Sequence, residues 1–135
     1  MSLKEMYKLF ADLSPLKESQ RVQEYTKKTI NFGYSNIDDI LKDLYDEIDE
    51  LKAEIDINSK KDNKKRIIEE LGDVIFVLGN LANKYGIDSE VALKYSIEEF
   101  KRRIIYCEEH YNGDIKKISN QEMLKLWKQA KDKNK

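Results

Sequence analysis

Two acidic pairs are the residues best placed to do chemistry. Glu47 and Glu50 stand in DLYDEIDEL, and Glu70 and Asp73 stand in IIEELGDVIFVL. Each pair is spaced i, i+3, so on a helix both carboxylates fall close together on one face. Asp73 opens a nearly continuous apolar run, Val74 to Leu78, that reads as buried helix. A carboxylate beside such a run is costly unless something offsets its charge. A divalent cation that takes oxygen ligands would do so. The pattern E-x-x-E, nineteen residues, then E-x-x-D is therefore a candidate metal site.

No cysteine or histidine stands near these acids. The single histidine, His110, excludes a multi-histidine zinc site. Hard Mg²⁺ is favoured, with Mn²⁺ as a possible substitute. Acidic pairs at this spacing also occur on solvated helix faces, and Glu47 with Glu50 alone would read that way. The second pair is harder to dismiss. Glu70 shares its stripe with Ile67, Leu71 and Val74, Asp73 shares its stripe with Val77, and Gly72 lies between the two acids. Glycine inside a helix costs about 1 kcal/mol relative to alanine. Close approach of another backbone or a ligand would explain Gly72, and helix–helix packing would explain Gly79.

The elements that must carry these residues are helical. Pro15 suits a first turn and Gly33 a stop, giving a helix from Pro15 to about Phe32. Asn36 is a good N-cap for a helix to about Ile57. There Ile37, Leu41, Leu44, Ile48, Leu51 and Ile55 form a seam. Asn58 to Asn63 reads as a loop. A helix from about Lys64 to Tyr85 ends at Gly86, and Asp88 or Ser89 caps another to about Tyr111. Asn112-Gly113-Asp114 is a turn, and Ser119 with Glu122 forms a capping box for a last helix to about Lys131. The sum is an all-α antiparallel helical bundle. Glu50 and Glu70 stand equally far in sequence from Lys60, in the loop. Two antiparallel helices joined there would bring both acidic pairs to one height.

The chain has 135 residues, which fits one domain over 1–135, with 1–13 and 132–135 as candidates for loose ends. Lys and Arg (25) nearly cancel Asp and Glu (26), which argues against a nucleic-acid binder. Cys107 is the only cysteine, so no internal disulfide is possible, and it reads as a helix residue without chemistry. No stretch approaches the roughly 20 apolar residues of a membrane span. The N-terminus lacks the plan of a signal peptide. The expectation is a cytoplasmic protein with no membrane partner.

The ordered segments DEIDEL, EELGDVIFVLGNLA, EEFKRRI and EMLKLWKQAK resemble the MazG family of nucleoside triphosphate pyrophosphohydrolases, in the all-α NTP pyrophosphatase superfamily. The resemblance spans roughly Leu16 to Lys131. It implies Mg²⁺-dependent hydrolysis of a nucleoside triphosphate to the monophosphate and pyrophosphate. Glu47, Glu50, Glu70 and Asp73 fall on the family's metal-binding, catalytic motif. Arg103 matches a basic residue linked to triphosphate handling. Arg66 replaces a lysine one turn before Glu70. Trp127 and Lys131 match a tryptophan and a lysine near the substrate end of the domain. The resemblance further implies a homodimer or a dimer of dimers with shared sites. Glu54 or Glu69 are candidates for the base. A dedicated substrate such as phosphoribosyl-ATP or dUTP is an alternative, as is a non-catalytic helical nucleotide-binding or assembly module.

The chain departs from the family in two places. Where the family reads N-x-K-F-x-R-R, this sequence has Ile97 for the asparagine and Glu99 for the lysine, a charge reversal. Where the family has Gly-Phe-Asp-Trp, it has Gly33-Tyr34-Ser35-Asn36, without the tryptophan. Phe32 and Tyr34 could cap the core or edge a base pocket. Trp127 could pack the last helix or stack on a base.

Overall fold

The N-terminus is held by a reciprocal cap. The Ser2 hydroxyl accepts from the backbone of Glu5, and the Glu5 carboxylate accepts from the backbone of Ser2. This opens α1, Leu3–Phe10, so most of residues 1–13 is a formed helix. The computed structural model describes residues 1–58 and 63–133. Over these it has α2 (Pro15–Ile30), α3 (Ile37–Asn58), α4 (Lys64–Lys84), α5 (Ser89–His110), a 3₁₀ turn (Ile115–Lys117) and α6 (Asn120–Lys133). No strand occurs among the described residues, so the fold is all-α. Among them, too, no helix is long and apolar enough to cross a membrane. The loop expected between Asn58 and Asn63 lies largely outside the described residues.

Most helix ends follow the expected signals. Asn36 Oδ1 accepts from Asp39 N at 3.0 Å, Asp88 Oδ1 from Glu90 N at 2.9 Å, and Ser119 Oγ from Glu122 N at 3.2 Å. Gly86 takes φ +64° just past α4. The end of α2 is a correction. The helix stops at Ile30 rather than Phe32, and Asn31 supplies the left-handed residue at φ 55°. Asparagine tolerates this region better than most residues, and it displaces Gly33 as the stop.

The chain divides into two units, Met1–Glu90 and Val91–Lys135. In the first, α3 and α4 run antiparallel. Glu54 on α3 pairs with Arg66 on α4 at 3.2 Å. One and two turns earlier on α3, Glu50 meets Glu70 and Glu47 meets Asp73. As one number falls the other rises, which only antiparallel neighbours allow. Helix α2 crosses α4 through Gln20, whose Nε2 donates to Asn83 Oδ1 (2.9 Å) and to the Ile87 carbonyl (2.8 Å). Gln20 Oε1 accepts from Ser89 N at 2.7 Å, so this buried amide is satisfied.

The apolar pattern needs two corrections. Ile40 is the most buried residue of α3, although the seam omitted it. In the run after Asp73 only Val77 is buried, whereas Ile75, Phe76 and Leu78 are each more than 40% exposed. Five consecutive helical residues pass more than once around the axis, and α2 and α3 cover only part of that circumference. In the second unit Cys107, Leu126 and Ala130 are buried.

The two helical glycines have different surroundings. A Cβ on Gly72 would meet nothing within 4 Å, so no backbone approaches it, contrary to the packing reason considered above. A Cβ on Gly79 would stand 2.8 Å from Ser19 Oγ, which is tied to the Leu16 carbonyl at 2.9 Å. Gly79 is thus where α2 seats on α4, as expected. Gly72→Ala should raise stability by about 0.5–1 kcal/mol in urea unfolding. Gly79→Ala should bring no gain or a loss, because the hydroxyl must move and forfeit its bond. Equal effects in the two variants would contradict this packing.

Candidate metal centre

The antiparallel register of α3 and α4 turns two separate acidic pairs into one cluster. Glu47, Glu70 and Asp73 each place a carboxylate oxygen within 4.8 Å of the others. Glu50, more exposed, lies against both Glu47 and Glu70. Glu47 Oε2 and Glu70 Oε2 are buried and have no hydrogen-bond partner. Carboxylates only accept, so a ring of ionised acids offers its members no donor. Burial, then Glu50, Asp73 and Asp43, push the Glu47 carboxyl up to about 7 from its ordinary 4.5. Burial and the charges of Glu50 and Asp73 also push Glu70 up, and Arg66 opposes them. Two orphaned buried oxygens among crowded carboxylates are what a hard divalent cation would satisfy. The donor set, oxygen only, fits Mg²⁺ or Mn²⁺.

The cluster opens on a cavity of about 980 Å³ within the first unit, lined by residues of α1 to α4. Glu47 and Asp73 lie on its wall, as do Phe32, Gly33 and Tyr34. Phe32 is 74% exposed, so it edges the cavity and does not cap the core. The Tyr34 hydroxyl donates to Asp43 Oδ2, and burial together with that partner pushes the phenol up to about 12. Asp43 is not among the acids that the sequence pattern singles out. The signal was its place one turn before Glu47 on the same face.

The candidate substrate residues fall in several settings. Arg66 is exposed and bonded to Glu54. Glu54 also accepts from Asn63, so both of its oxygens are engaged on protein groups. Glu69 is exposed, as is Lys131. In the second unit, Arg103 sits 5.7 Å from the centroid of the Trp127 ring, and Trp127 packs on Phe100 at 5.7 Å. Glu99 bonds Arg103 at 2.5 Å and Arg102 at 2.8 Å. The charge reversal at 99 therefore places a partly buried carboxylate on the arginine it would otherwise flank with a lysine.

A family model, the MazG nucleotide pyrophosphohydrolase domain, matches residues 36–108. The match begins at the cap of α3 and takes in all four carboxylates. The chain belongs to the MazG family. It is 28% identical over 116 residues to the nucleoside triphosphate pyrophosphohydrolases of Escherichia coli K12 and of Escherichia coli O157:H7. Each alignment covers 82% of this chain and 43% of the relative. It is also 34% identical over 77 residues to the uncharacterized protein YabN of Bacillus subtilis, covering 55% of this chain and 16% of that one. The chain thus spans less than half the length of the curated relatives it matches. The MazG match ends before Trp127 and Lys131, so their assignments rest on the sequence resemblance alone.

Proposed function

We propose that this MazG-family chain hydrolyses nucleoside triphosphates to the monophosphate and pyrophosphate with Mg²⁺. The observation that carries this reading is the pair of buried, partnerless oxygens on Glu47 and Glu70, in a cluster beside a cavity large enough to admit a nucleoside. Glu47, Glu50, Glu70 and Asp73 would hold Mg²⁺, with Mn²⁺ as substitute. Bound there, the cation would neutralise phosphate charge and lower the pKa of a water molecule. Water would add to the α-phosphorus and release its proton to a nearby carboxylate or to solvent, as the bond from the α-phosphorus to the α–β bridging oxygen breaks and pyrophosphate leaves. The wall shared by Glu47, Asp73 and the cavity seats the nucleoside beside the reacting phosphate. A pyrophosphate-release assay over a panel of nucleoside triphosphates, with Mg²⁺ and with chelator, tests the reading. Release without added Mg²⁺ and in chelator, or none with any substrate, would refute it. A strong preference for dUTP or phosphoribosyl-ATP would favour the dedicated-substrate alternative.

Arg103 is assigned a phosphate, for which its planar fork is suited, and Lys131 and Arg66 add positive charge. Trp127 is assigned to stacking. Glu99 competes with phosphate for Arg103. Glu99→Lys should therefore lower KM for nucleoside triphosphates severalfold, with little change in kcat. A higher KM would show that Glu99 itself serves the substrate. The same pair is the observation most favourable to a binding module without turnover, which pyrophosphate release would exclude.

The assembly is proposed as a homodimer or dimer of dimers. Ile68, Leu71, Ile75 and Leu78 of α4 share one side of the helix and are each more than 40% exposed, an apolar face of the kind that supports association. Light scattering at micromolar concentration should give at least twice 16.0 kDa. A monomer that still hydrolyses nucleoside triphosphates would refute sites shared between subunits.

A further inference from the structure

The cavity beside the carboxylates has already spent most of its neutral hydrogen-bond donors. Gln23 Nε2 donates to the Ser19 carbonyl at 3.0 Å and to the Phe76 carbonyl at 2.9 Å. Those two carbonyls fix which end of the amide is nitrogen, use both of its hydrogens, and leave Oε1 as its free atom. The Thr26 hydroxyl donates to the Val22 carbonyl at 2.6 Å. A hydroxyl has one hydrogen, so in the Tyr7–Thr26 contact Tyr7 must be the donor. The Tyr34 hydrogen goes to Asp43. Tyr7, Gln23, Thr26, Tyr34 and Asp43 all line the cavity. What they leave for a ligand is acceptors: Gln23 Oε1, the Tyr7 oxygen and the Asp43 carboxylate. Asn31 and Asn80 carry both kinds of group and favour neither. The Lys27 cation, also on the wall, suits a phosphate.

We propose that this cavity selects a nucleobase with a donor-rich edge, guanine before the others, with the Asp43 carboxylate receiving its adjacent N–H groups. The inference rests on the nucleotide reading of the site and names its base. Guanine presents a ring N–H beside an amino group, two donors in a row that a carboxylate can accept together. Uracil and thymine flank their one ring N–H with two carbonyls, which would face oxygen acceptors. Cytosine and adenine bring an amino group beside a ring acceptor. The Tyr34 bond holds Asp43 in place, so its remaining lone pairs are oriented before a ligand arrives. A buried acceptor left without its donor costs more than a hydrogen bond gains, and that asymmetry is what discriminates.

The test is equilibrium binding of the α,β-imido analogues of GTP and ITP to the full chain with Mg²⁺. Hypoxanthine differs from guanine only by the missing amino group. The guanine analogue should bind at least about tenfold more tightly, and the uridine analogue more weakly than either. Equal affinities, or tighter binding of the inosine or uridine analogue, would overturn the proposal. Asp43→Asn keeps the size of the side chain and an oxygen for Tyr34, but turns the other oxygen into a donor. The preference for guanine over hypoxanthine should then fall to within about twofold, and a preference kept intact would overturn the role of Asp43. A guanine preference in a protein that releases no pyrophosphate would support the inference and refute the pyrophosphohydrolase reading, so the two fail separately.

Discussion

Asp73→Asn should reduce Mg²⁺-dependent pyrophosphate release by at least about 100-fold, since groups that merely orient metal ligands already cost 10–100-fold when changed. Asparagine has the shape of aspartate, and Asp73 is exposed, so the helix around it has no reason to unfold. The charge lost is one of those crowding Glu47 and Glu70. Without it the remaining carboxylates repel less, and the metal-free variant should be at least as stable as the unaltered protein at pH 8. A defect in folding would instead lower helix content and the unfolding midpoint together. The two readouts, pyrophosphate release and circular dichroism, separate these causes. Undiminished turnover in Asp73→Asn would remove this cluster from the chemistry.

Mg²⁺ should stabilise the protein far more at pH 8 than at pH 5. The Glu47 carboxyl stands at about 7 in the folded chain against an ordinary 4.5, with burial as the first cause and the neighbouring acids after it. A carboxyl whose folded value is raised favours the folded state most below its unfolded value, and that contribution is lost as pH rises through the folded value. The metal-free protein should therefore lose stability between about pH 4.5 and 7 as Glu47 ionises, and the upward shift of Glu70 acts in the same direction. A cation bound by the ionised cluster reverses this, and its stabilisation grows with the charge available to bind it. A change of about 1 kcal/mol moves Tm by about 2–6 °C in a chain of this size. Millimolar Mg²⁺ should raise Tm by at least that much at pH 8 and by much less at pH 5. A shift independent of pH would mean that the cation binds elsewhere.

The sequence by itself determined the helices and the chemical type of the site. Caps at Asn36, Asp88 and Ser119, the stop at Gly86 and the i, i+3 acid pairs are local features, set by groups a few residues apart. A helix carries such groups at fixed spacing whatever surrounds it. The likeness to the MazG family was legible for the same reason, since its motifs are short segments on single helices. Where two local signals competed, as Asn31 and Gly33 did at the end of α2, local chemistry alone does not rank them.

Only the tertiary structure decided what depends on which helix lies beside which. The antiparallel register of α3 and α4 brings Glu50 to Glu70 and buries one oxygen each of Glu47 and Glu70. Asp43 joins the cavity wall and accepts there from Tyr34, in the preceding connection. Burial of Ile40, and exposure of Ile75, Phe76 and Leu78, follow from how much of each helix a neighbour covers, which periodicity alone does not specify. The donor bookkeeping of the cavity is the clearest case. Gln23 can donate or accept by its composition, and the Phe76 carbonyl across the α2–α4 contact, together with the Ser19 carbonyl one turn back on α2, makes it an acceptor.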